Sequence, residues 1–107
     1  MIQHFFYRQD VEEYWKDKHS DISREDFSCM MQDRIWSYIQ KYPYDPDAND
    51  VMPFGQYKDT PIKQIYKEDS EYLVWTLWIK RDNEKFMKLL CENVEVGFLM
   101  KMLFSLR

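Results

Sequence analysis

Glycine is nearly missing from this chain: its 107 residues include two, Gly55 and Gly97, alongside four prolines. With so few backbone breakers, most of the chain reads as helix. Cysteine is equally scarce. Cys29 and Cys91 are too few for a disulfide framework and neither belongs to a C-x-x-C pair, which points to a reducing, intracellular setting. No apolar run approaches the roughly 18 residues of a membrane span. The first ten residues, MIQHFFYRQD, lack the basic start and apolar stretch of a signal peptide. The expectation is a cytoplasmic protein with no membrane partner.

Positive charge is not in excess either. The formal net charge is -4, and residues 1–50 hold six Lys/Arg against eleven Asp/Glu, while the remainder holds nine against eight. That balance excludes a general nucleic-acid binder, which carries a basic surplus to release counterions from phosphate. Contact with DNA or RNA has to be local.

What is present is apolar surface. A hydrophobic fraction of 45% with 18% aromatics excludes a disordered chain. A chain of this length forms one domain, 1–107, that buries roughly 65% of its unfolded surface. Its parts are an N-terminal helical pair (1–42), an acidic linker (43–51), and a hairpin followed by helices (52–107).

Asp10 and Glu13 have capping-box spacing and predict a helix over 11–18. Ser23 and Asp26 repeat the device ahead of Phe27, Met30, Met31, Ile35, Tyr38 and Ile39, an amphipathic stripe that runs to Lys41 and stops at Tyr42-Pro43. After the linker, 52–54 and 56–58 read as two very short strands bent at Gly55. Thr60-Pro61 opens a short helix. Asp69 or Ser70 caps a helix over 71–81, and Asp82 caps another carrying Phe86, Leu89, Leu90 and Val94. The fold class is therefore mainly helical α+β, with a small two-stranded hairpin packed against about four to five helices.

Several constellations fail on inspection. DPDAND, 45–50, alternates acids as calcium loops do, but Asp50 stands where such a loop needs glycine and Gln56 where it needs a bidentate Glu. His4, His19, Cys29 and Cys91 have no zinc-ligand spacing. Asp10 and Glu12 match the D-x-E of two-metal nucleases but open a helix instead of lying on a strand. No metal, no cofactor and no catalytic residue is expected, and the protein reads as a non-enzyme.

Two groups carry binding potential. Tyr72, Trp75 and Trp78 have helical spacing that suits a core better than a stacking surface. Phe54, Gln56, Tyr57 and Lys58 are gathered by the bend, and an aromatic ring beside an ammonium suits a base or a phosphate. On the acidic half, Asp10, Glu12, Glu13, Asp17 and Asp21 form a face that a basic groove on a partner would attract. The apolar tail 98–106, from Phe98 to Leu106, either closes the core or joins copies into a homo-oligomer.

The string MPFGQYKDTPIKQI with YLVW at 72–75 resembles the small C-terminal domain of exodeoxyribonuclease X-like proteins and a related family of small bacterial and phage proteins. Phe54, Gly55, Tyr57, Lys58, Pro61, Ile62, Ile65, Tyr72, Leu73 and Trp75 match that pattern, over 52–81 only. Gln56 replaces a family lysine and Asp59 a family glycine. The resemblance implies a non-catalytic interaction module of bacterial or viral origin, an accessory in nucleic-acid processing. Its partner would be a nucleic acid or a nucleic-acid-processing protein. The alternative is an acidic inhibitor or host-takeover (anti-defence) factor that binds a basic surface of a host protein through its N-terminal helices.

Overall fold

The computed structural model describes residues 7–104. Six helices follow in order: α1 (Tyr7–Lys18), α2 (Arg24–Lys41), α3 (Ile62–Glu68), α4 (Ser70–Ile79), α5 (Glu84–Asn93) and α6 (Val96–Leu103). Helix α4 is apolar on nearly all sides, burying Tyr72, Leu73, Val74, Thr76, Leu77 and Trp78, so it can be stable only in the middle of the molecule. Helices α1, α3 and α6 surround it, and α2 packs against α5 and α6.

The N-terminal signals are read by the chain with small shifts. Ser23 caps α2, its Oγ accepting from the Asp26 backbone N–H at 3.0 Å. Asp10 does not cap α1, which starts at Tyr7. Instead Tyr14 leads the docking of α1, meeting Trp78 edge-on at 5.5 Å. Arg81 lies over both rings, at 3.8 Å from Trp78 and 4.8 Å from Tyr14. Asn83, not Asp82, caps α5, accepting from Phe86 N–H at 3.1 Å. The turn Lys80–Asn83, where Asn83 N–H donates to the Lys80 carbonyl at 2.9 Å, puts the next residue along in the capping place.

Loop 43–51 is tied to the core. Asn93 is fully buried and exchanges two hydrogen bonds with Asp50, 3.0 Å from the Asp50 backbone N–H and 2.8 Å to its carboxylate. Lys63 donates to the carbonyls of Asp45 and Ala48.

The α+β expectation is overturned. Among the described residues there is no strand or sheet, and the molecule is all-helical. Residues 52–60 form a hydrogen-bonded turn closed by one antiparallel bridge, Val51 to Pro61. Met52 N–H donates to Thr60 and Asp59 N–H to Met52, both at 2.8 Å; inside, Lys58 N–H reaches the Gly55 carbonyl and Thr60 N–H the Tyr57 carbonyl. Proline is the physical reason that no ladder grows from this pair. Pro61 is itself one partner of the bridge and Pro53 lies two residues past the other, and neither has an N–H to donate. Gly55 (φ 81) and Asp59 (φ 71) then adopt left-handed backbone, which curls the segment instead of extending it.

The tail divides. Leu99, Met100, Leu103 and Phe104 are buried, so most of its described part closes the core, whereas Phe98 is exposed. Leu106 lies outside the described residues, as does His4.

Candidate functional site

The turn 52–60 separates the four residues that the sequence groups together. Phe54 leaves the turn toward α5 and meets Phe86 edge-on at 5.6 Å. Tyr57 leaves it toward α4, where its ring stands against Tyr72 at 4.7 Å and its hydroxyl donates to the Asp69 carboxylate at 2.8 Å. That hydrogen bond, then burial, raises the Tyr57 phenol above its ordinary pKa. Tyr57 is thus a strut holding the turn onto α4. Gln56 and Lys58 stay exposed, and the Lys58 ammonium lies 3.6 Å from its neighbour Asp59.

Phe54 instead shares a cleft of about 340 Å³ with Pro53, Lys80, Asn83, Lys85, Phe86 and Leu89. The Lys80 ammonium lies 4.9 Å from the centre of the Phe54 ring. Lys85 is in the first turn of α5, where the helix dipole disfavours a cation. A cation held at the positive end of a helix breaks a local rule, and such breaks gather where a surface does something besides fold.

The acids of the same corner are turned away. Asp82 pairs with Arg34 of α2. Glu84 pairs with Lys41 at 2.6 Å and accepts from the Tyr42 hydroxyl; these partners hold its carboxyl below the usual carboxylate range. Among the described residues no carboxylate pairs with Lys80 or Lys85. An acidic protein therefore presents a cleft with an apolar wall and two unopposed ammonium groups.

Sequence reasoning reached Phe54 but missed Lys80 and Lys85. KRDNEK at 80–85 displays both lysines, but in the sequence the acids between them look like their partners; pairing of those acids with α2 is what leaves the lysines free.

The acidic face is only partly assembled. Glu12 turns inward to Arg24, 2.6 Å away. Asp10, Glu13 and Asp17 fall on one exposed stripe of α1, with Gln9 donating to Glu13 and Lys18 lying 3.4 Å from Asp17. Asp21 is exposed in the turn after α1. Tyr72 and Trp78 are core residues, and burial raises the Tyr72 phenol. No group of three or more His, Cys, Asp or Glu among the described residues is placed to hold a metal ion. No described helix is long and apolar enough to cross a membrane.

No protein-family model matches the chain, and no curated protein or solved structure matches it.

Proposed function

We propose that this protein is a non-enzymatic interaction module of bacterial or viral origin, an accessory in nucleic-acid processing that acts in the cytoplasm. It holds single-stranded nucleic acid at the cleft between turn 52–60 and α5. The observation that carries this reading is the Lys80 ammonium over the Phe54 ring, with Lys85 in the same cleft and the neighbouring acids engaged elsewhere. An aromatic ring gives one base a stacking surface worth about 1–3 kcal/mol, and ammonium groups beside it meet the flanking phosphates. When a base takes the ring face, Lys80 has the reach to move to a phosphate. The resemblance of 52–81 to a nuclease accessory domain supports the same setting. The family lysine replaced by Gln56 is offset here by Lys80 and Lys85, which come from outside the turn.

The test is a fluorescence-anisotropy titration of the protein with labelled single- and double-stranded DNA and RNA at several salt concentrations. Single strands bind best, and binding weakens as salt rises. No binding to any of them at low salt overturns the reading.

A second reading rests on the stripe Asp10, Glu13 and Asp17, which an inhibitor or host-takeover factor would use against a basic protein surface. In that case reversing the three charges abolishes capture of the host protein and leaves oligonucleotide binding unchanged.

A further inference from the structure

Helix α6 and its cap carry Glu95, Phe98 and Lys101 at three-residue spacing, and all three are exposed. Among the described residues Phe98 is the most exposed of the large apolar side chains at 54%, and Trp36 at 44% and Tyr44 at 43% line one groove with it. The groove, of about 450 Å³, runs between α2 and α6 and also takes in Ile39 and Gly97. It shares no lining residue with the Phe54 cleft. A β-carbon on Gly97 would meet nothing within 4 Å, so the helix is bare beside the projecting Phe98. Knob and hollow thus lie on the same patch, the arrangement that a two-fold, self-complementary interface demands.

The charges point the same way. Among the described residues neither Glu95 nor Lys101 takes part in an ion pair. An antiparallel pairing of helices centred on Phe98 sets the residue three before it opposite the residue three after it. Glu95 of each copy then meets Lys101 of the other, twice per interface.

We propose that a second copy of this chain covers the groove, with the two α6 helices antiparallel about a two-fold axis at Phe98. Each Phe98 enters the hollow between Trp36 and Gly97 of the other copy. Because the interface leaves the Phe54 cleft free, the pair displays two clefts. The inference stands independently of what those clefts hold.

Sedimentation velocity on the full chain over a range of concentrations tests it. The 13.3 kDa monomer gives way to a species of twice that mass as concentration rises. Phe98→Asp removes the heavier species while keeping the far-UV circular dichroism, because the side chain is more than half exposed. Glu95→Lys alone and Lys101→Glu alone each weaken association on the order of tenfold by placing like charges opposite one another. The double variant restores it, which a partner other than a second copy does not require. A wild-type monomer at every soluble concentration, a dimer that survives Phe98→Asp, or a double variant that fails to recover overturns the proposal. If Phe98→Asp unfolds, the charge swap alone decides: recovery supports the interface and its failure refutes it.

Discussion

The hydroxyl of Tyr72, on α4, occupies the space that a β-carbon on Gly55 would need. Gly55 also has φ 81, and the backbone of the next residue, Gln56, pulls the Tyr72 phenol down against the larger upward push of burial. The turn is thereby fitted to α4 through a residue with no side chain. Gly55→Ala should cost about 1–2 kcal/mol for the left-handed backbone, plus the steric overlap. In a Tyr72→Phe background the overlap goes and only the backbone cost remains. A double-mutant cycle in urea measures this, and strictly additive losses would contradict it.

Asp59 shows the opposite situation. It holds φ 71 with a side chain that is exposed and a backbone N–H bonded to Met52. Asp59→Gly relieves the left-handed strain and loses some of the gain to unfolded-chain entropy, for a net change between zero and about 1 kcal/mol of stabilisation. Asp59→Val, β-branched at a positive φ, destabilises. Midpoints of thermal unfolding that rank valine at or above glycine would contradict the assignment.

Tyr57 gives the fold an alkaline limit. Its phenol is raised because the neutral form donates to Asp69, so the stability that it contributes is fully present below the unfolded tyrosine pKa of about 10. That contribution is lost as pH rises through the raised folded value, where a phenolate would face a carboxylate. Tyr57→Phe should cost about 1 kcal/mol at neutral pH. The gap between wild type and variant should close above pH ~10, followed by denaturant midpoints across the range. A gap that widens with pH would refute the sign.

How much of this was legible in the sequence follows from the range of each signal. Ser23 and Asp69 announce their helices because a cap acts on a backbone N–H three residues away. The burial of α4 was legible in its unbroken apolar composition. The hairpin was misread because two prolines and two left-handed residues had to be weighed together; the bend at Gly55 alone suggested two strands. The cleft was harder still. Whether Lys80 and Lys85 are free depends on Arg34 and Lys41, more than forty residues away, drawing off Asp82 and Glu84. No local pattern encodes that choice.

The two cysteines should differ in reactivity. Burial pushes the Cys91 thiol up to about 12, whereas Cys29 is exposed on α2. In the native protein a thiol reagent near neutral pH modifies Cys29 alone, and Cys91 reacts only on unfolding. Mass spectrometry of the labelled peptides checks this, and equal modification of both would show that the core does not seal Cys91.

The central claim is that the Phe54 cleft holds nucleic acid through Lys80 and Lys85, and the salt dependence of single-strand binding by Lys80→Glu/Lys85→Glu tests it most directly. Two lysines that neutralise two phosphates contribute about 1.4 to the slope of log K against log salt on a single strand. The variant should therefore bind more weakly and with a slope shallower by about that amount, while Lys58→Glu, which does not line the cleft, has a smaller effect. A double variant that keeps the wild-type affinity and slope would contradict the account.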